Sequence, residues 1–187
     1  MRYKVETKNQ SYTAAVAGTY GSGDRTSSIT ATTNLTSQGG SSPTNLLNGD
    51  FADNYPDSWV IGNGQTVSSS SYIRFQWSSG QIIDGIKWYQ EEGSGTPTQG
   101  TWTIQGSNDA SSWDNLSVGI TLGGPGTPTN QNIYTFTNTT SYTYYQFVGV
   151  SGTTSNTNWI REIEFKEVDI AASGKITRIH GTSLAWK

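Results

Sequence analysis

Residues 72–77, YIRFQW, alternate polar and large apolar side chains without a break. Ile73, Phe75 and Trp77 share one parity; Tyr72, Arg74 and Gln76 share the other. A period of two sends successive side chains to opposite faces of an extended chain, so this segment is predicted to be a strand with one face against a core. Similar segments follow: IIDGIKWYQ (82–90), TWTIQG (101–106), NIYTFTN (132–138), TSYTYYQFVGV (140–150) and IREIEFKEV (160–168). Polar, Gly- and Pro-bearing stretches separate them, notably EEGSGTPTQG (91–100), LGGPGTPTNQN (122–132) and SGTTSNTNW (151–159). No segment sustains the 3.6 period of a surface helix, and turn signals recur at the spacing of a sandwich or barrel. The fold expectation is all-β.

Parity assigns a core. Ile73, Phe75, Trp77, Trp102, Ile104, Trp113, Tyr145 and Phe147 are expected inside, with Trp59. Tyr55 lies beside Pro56 in a loop and is expected to be exposed, whereas Trp159, just before a strand, is open to either reading. Such a chain needs its large side chains from aromatics, and it has seven Trp, ten Tyr and five Phe against only 13% charged residues. That aromatic content argues against disorder.

The charge pattern narrows the partners. The formal net charge is -3, so no basic footprint for nucleic acid exists. All acidic residues lie at or before Asp169, whereas the segment 170–187 carries Lys175, Arg178 and Lys187 and no acid. This segment is expected to be a further strand or an anchoring arm, in which Ile176, Arg178 and Trp186 grip a neighbouring subunit or the chain's own domain. The N-terminal MRYKVETKNQ has no apolar run of signal-peptide length, and nothing reaches the roughly 20 apolar residues of a membrane-spanning helix. No membrane insertion is expected, and a protein acting outside a cell would leave by another route, such as lysis.

Catalytic constellations are sparse. The only histidine, His180, lies in the basic tail; a triad needs an imidazole held by a carboxylate within the fold, and a lone tail histidine does not suggest one. Glu91 and Glu92 are neighbours in a polar loop and do not form the opposed carboxylates of a glycosidase. There is no cysteine, and no phosphate loop, zinc motif or nucleophile elbow. The chain is expected not to be an enzyme.

Four stretches together resemble one family. GTWTIQGSNDASSWDNL (100–116) is similar to its strand-and-turn signature, with Ala110 where glycine is typical. NTTSYTYYQFVGVSG (138–152) resembles its paired-tyrosine strand, WIREIEFKE (159–167) its closing strand, and NLLNGDFADNYPDSW (45–59) a longer version of its Asn-Gly-Asp loop. The family is the discoidin, or coagulation factor V/VIII type C, domain, which is similar to family 32 carbohydrate-binding modules. The resemblance covers about residues 20–168, within a domain expected over 1–169. It implies a jelly-roll β-sandwich whose loops at one end bind glycans or lipid head groups.

Two candidate sites follow. A sugar needs an aromatic surface for its C–H face and paired polar groups for its hydroxyls. The binding-end loops offer Tyr55 and Trp159 for the first, and Gln90, Glu91, Glu92, Asn156 and Arg161 for the second. The loop LLNGDFADN offers the hard oxygens that calcium prefers: the Leu47 carbonyl and the side chains of Asn48, Asp50 and Asp53, with Asn54 beside them. The resemblance adds Glu162 from the closing strand as a ligand of a structural Ca2+; the alternative is an Asx-rich turn bonded to its own backbone. The functional expectation is a carbohydrate-binding module for cell-surface glycans, in a virion or extracellular setting. It would be part of a phage receptor-binding, head-fibre or decoration protein, joined to other virion proteins through the tail, and possibly homo-oligomeric. The alternative is a structural jelly roll whose loops contact other subunits.

Overall fold

The structure, a computed structural model, describes residues 6–12, 18–51, 57–90, 98–123, 131–156, 159–168 and 174–180. Its strands are β1 (Glu6–Tyr12), β2 (Thr19–Tyr20), β3 (Ile29–Thr33), β4 (Tyr72–Gln81), β5 (Ile83–Gln90), β6 (Thr98–Ser107), β7 (Asp114–Gly123), β8 (Asn132–Thr135), β9 (Tyr142–Ser151), β10 (Ile160–Glu167) and β11 (Gly174–His180). One 3-10 turn, Pro43–Leu47, lies between β3 and β4. Two antiparallel sheets, ordered β2-β10-β5-β8 and β3-β4-β9-β6-β7, form the sandwich. β1 and β11 make a separate antiparallel ribbon in which Glu6 pairs with His180 and Tyr12 with Gly174. The segment expected as a strand or arm therefore contains a strand, and its partner is the chain's own N-terminal segment.

The inward faces follow the parity of the sequence. Ile73, Phe75, Trp77, Trp102, Ile104, Tyr145 and Phe147 are buried, as is Trp59. Aromatic edges join the two sheets. Phe165 of β10 meets Phe75 and Trp77 of β4 at centroid distances of 5.0 and 4.8 Å, and Trp88 of β5 meets Phe147 of β9 at 5.8 Å. Full burial of each such ring stabilises the fold by about 1.5–3 kcal/mol. Tyr145 also anchors a corner. Its hydroxyl donates to the Gln81 carbonyl (2.8 Å) and accepts from the Ile83 amide (3.0 Å) and Asn138 Nδ2 (3.1 Å). Burial pushes that phenol up to about 12.

Trp113 departs from the expectation. It is half-buried on the outer side of the five-stranded sheet, with its ring 4.8 Å from the Arg74 guanidinium carbon. The reason is the turn before it, which resets the parity carried by Trp102 and Ile104. Asp109 Oδ1 accepts from the amides of Ser111 (2.8 Å) and Ser112 (2.7 Å) and from Ser107 Oγ (3.0 Å). Ala110, in the same turn, is the one described non-glycine residue with positive φ, at 57°.

Two outcomes are expected at this turn. Ala110→Gly relieves a left-handed alanine and, after the added unfolded-state entropy, stabilises the protein by about 0.5–1 kcal/mol in urea unfolding. The Ser112 and Ser111 amides hold the Asp109 carboxyl below its ordinary value. Its contribution is therefore present above the unfolded carboxylate pKa and lost as pH falls through the lower folded value. Melting curves of wild type and Asp109→Ala should differ at neutral pH and converge in acid; a gap that persists to the lowest pH would assign the effect to something other than the carboxylate.

Candidate functional site

The strand ends place the loops. Gln90 pairs with Ile160 and Trp88 with Asn132 in one sheet; Thr98 pairs with Gly123, Thr101 with Ser151 and Tyr72 with Val148 in the other. The ends of β5, β7 and β9 and the starts of β6, β8 and β10 thus gather at one end of the sandwich. The β3–β4 connection crosses the same end, where Trp59 bridges to Ile160 and Thr66 to Thr153.

The base of the β9–β10 loop is built by hydrogen bonds that the sequence reading did not anticipate. Buried Gln99 donates from Nε2 to the Ser155 carbonyl and accepts the Ser155 amide at Oε1, both at 3.0 Å. Buried Thr154 donates from Oγ1 to the Gly62 carbonyl (2.6 Å), and its own carbonyl accepts the Gly64 amide (2.8 Å). Beyond this base, Asn156 Nδ2 donates to Gln38 Oε1 at 3.1 Å. Asn156, Gln38 and Trp159 are half-buried and Asn63 is exposed. Gln38 was missed because its contact with Asn156 spans 118 positions.

Two residues expected to face a ligand are turned inward. Gln90 is 2% exposed and accepts the Trp88 indole N–H at 3.0 Å. It lies two positions after Trp88 and shares its inward parity. Arg161 is also 2% exposed, and its Nη1 donates to the Phe51 carbonyl at 2.9 Å. A bulge between Ile160 and Glu162 breaks the alternation there. Arg161 therefore fastens Phe51 to β10, and the Phe51 ring meets Tyr89 at 4.8 Å. Tyr55, Glu91, Glu92 and Asp53 lie outside the described residues.

The Asn-Gly-Asp loop does meet Glu162. The Gly49 amide donates to Glu162 Oε2 at 2.9 Å. Gly49 has φ +73°, and a Cβ there would fall 2.4 Å from the Gly23 carbonyl carbon. Only glycine allows the two chains to touch at this point. The other carboxylate oxygen, Oε1, accepts from Arg25 Nη2, which also donates to the Ile163 carbonyl. The ion pair is enclosed, with Arg25 11% and Glu162 1% exposed. Burial raises the Glu162 carboxyl above its ordinary value, while Arg25 and the Gly49 amide pull it back. Two further expected calcium donors are engaged as well. The Leu47 carbonyl accepts the Arg25 amide (2.8 Å), and Asn48 Oδ1 accepts the Asp50 amide (2.8 Å) as an Asx turn.

No family model and no curated protein matches the sequence. Solved structures do match in fold. A family 32 carbohydrate-binding module of a family 31 glycoside hydrolase from Clostridium perfringens aligns with TM-score 0.54 at 10% identity, over 74% of this chain and 93% of that one. The family 32 module of AlyQ in complex with 4,5-unsaturated mannuronic acid aligns with TM-score 0.52 at 22% identity, over 74% and 94%. A Clostridium perfringens module in complex with GalNAc-β-1,3-galactose gives 0.52 at 11%, over 75% and 96%. The chain has the discoidin-like, galactose-binding-type sandwich of these modules.

In this loop the described donors do not fit a bound dication as they stand. The Leu47 carbonyl and Asn48 Oδ1 are already bonded within the protein, and a guanidinium stands against Glu162, where a second cation would be repelled. Arg25 and the Gly49 amide both bond Glu162 and so tie the loop to β10. Melting temperature is expected to be the same in excess CaCl2 and in chelator, whereas Arg25→Gln lowers stability by about 3 kcal/mol by leaving a buried carboxylate unpaired. A saturable rise in melting temperature with calcium would contradict this assignment.

Proposed function

We propose that the protein is a non-catalytic carbohydrate-binding module that takes cell-surface glycans at the loop end of its sandwich. The observation that carries this reading is the gathering of the ends of β5, β7 and β9, the starts of β6, β8 and β10 and the β3–β4 crossing at one end. There, half-buried Trp159 follows Asn156 by three positions, Asn156 bonds Gln38, and Gln99 and Thr154 stiffen the base beneath. Rigid support matters because a weak polar ligand cannot offset the cost of ordering its own site. The shared fold with modules solved in complex with an unsaturated mannuronic acid and with GalNAc-β-1,3-galactose supports a saccharide as the ligand class. Trp159 supplies the flat apolar face and Asn156 the hydroxyl partner.

The setting we propose is extracellular or on a virion. The acid-free segment 170–187 would join the module to other virion proteins, and display in many copies would turn weak single-site binding into firm attachment. A glycan array of the purified full chain tests the binding. Wild type is expected to retain one sugar class, and Trp159→Ala to lose about tenfold in affinity, the scale of one aromatic contact. Absence of binding at every glycan density, together with stable self-assembly, would favour a structural building block instead.

A further inference from the structure

The outer face of the five-stranded sheet carries a second organised constellation, apart from the loop residues named above. Register aligns Thr32, Arg74, Gln146, Gln105 and Asn115 in one row across β3, β4, β9, β6 and β7. From Arg74 onward the row is a hydrogen-bonded chain. Arg74 Nε and Nη2 donate to Gln146 Oε1 at 3.1 and 3.0 Å. Gln146 Nε2 donates to Gln105 Oε1, and Gln105 Nε2 to Asn115 Oδ1, each at 2.8 Å. The Arg74 guanidinium lies between two rings, its carbon 4.8 Å from the centroids of both Tyr72 and Trp113. Tyr144, two positions before Gln146 on β9, has the same parity and is half-buried.

Two features set Arg74 apart from Arg25, Lys87 and Lys166. Arg25, Lys87 and Lys166 each face a carboxylate: Glu162, Glu164 and Asp84. Arg74 has no carboxylate partner among the described residues, although the chain as a whole is acidic. Its Nε/Nη2 edge is spent on Gln146, so the Nη1/Nη2 edge is left toward solvent, and Nη1 is not among the enclosed unbonded atoms. A guanidinium edge accepts a carboxylate through two parallel hydrogen bonds. Here the edge is already oriented by two rings and an amide, so little freedom is left to lose on binding. The rings themselves offer apolar faces to the C–H groups of a pyranose.

We propose that this sheet face is a binding site for acidic saccharides, with the uronate carboxylate on Arg74 and the sugar ring against Trp113 or Tyr72. Gln146, Gln105 and Asn115 are positioning residues that hold the guanidinium flat. The site is independent of the loop end: either can be present without the other.

Affinity electrophoresis of the full chain in gels containing polygalacturonate, alginate or a neutral galactan tests it. The uronate polymers are expected to retard wild type in a salt-sensitive way. Arg74→Gln should weaken that retardation about tenfold, as loss of a charge-assisted pair does, with an unchanged melting temperature; Trp159→Ala should leave it in place. Trp113→Ala is expected to act like Arg74→Gln, and Trp113→Phe to restore binding in part. Wild type that runs freely in both uronate gels, or Arg74→Gln that is retarded as strongly as wild type, overturns the proposal. Retardation abolished by Trp159→Ala and untouched by Arg74→Gln would assign the uronate to the loop end and overturn it too.

Discussion

Edge-to-face contact between aromatic rings of the two sheets is the interaction on which everything else rests. Phe165 inserts against Phe75 and Trp77, and Trp88 against Phe147, so the sheets are locked by rings that neither sheet could bury alone. With the sheets fixed, their strand ends are fixed, and the loops that leave those ends have a defined frame. The polar parts of the fold serve the same purpose at its margins. Tyr145 ties the β4–β5 corner to Asn138, Gln99 brackets Ser155, and Arg161 fastens Phe51 to β10.

The pairing of Arg25 with Glu162 shows how a fold can keep a connection while changing its chemistry. A loop of backbone carbonyls and Asx side chains facing a closing-strand glutamate has the composition of a calcium site. Here the glutamate meets a guanidinium and the Gly49 amide instead. The same exchange of an external ligand for an internal one appears in reverse on the outer sheet face. There Arg74 is held by rings and amides and has no carboxylate partner among the described residues.

Much of the fold was legible because period-two alternation is a local property. The residues 72–77 and 160–168 declare their inward faces without knowledge of any partner strand. Three kinds of feature escaped that reading. The strand β7 exposes residues of both parities along most of its length, so no alternation marks it. Parity does not survive a turn or a bulge, which is why Trp113 lies outside and Arg161 inside. Contacts between distant segments leave no local trace: Arg25 and Glu162 are 137 positions apart and Asn156 and Gln38 are 118 apart. The pairing of Glu162 with the Asn-Gly-Asp loop was anticipated through family resemblance, whereas its cationic partner was not. Gln90 is the instructive case, since its parity with Trp88 already pointed inward and its polarity alone suggested a ligand role.

The central claim is that a rigid sandwich presents a saccharide site at one end. The most direct measurement is an amide-resolved NMR titration of the isotope-labelled protein with a neutral sugar that it retains. The account predicts that perturbed amides cluster at Gln38, Gly62 to Gln65, Thr154 to Asn156 and Trp159, while the turn at Ser107 to Trp113 and the β1–β11 ribbon stay unchanged. Perturbations confined to the ribbon or to the opposite turns would contradict it.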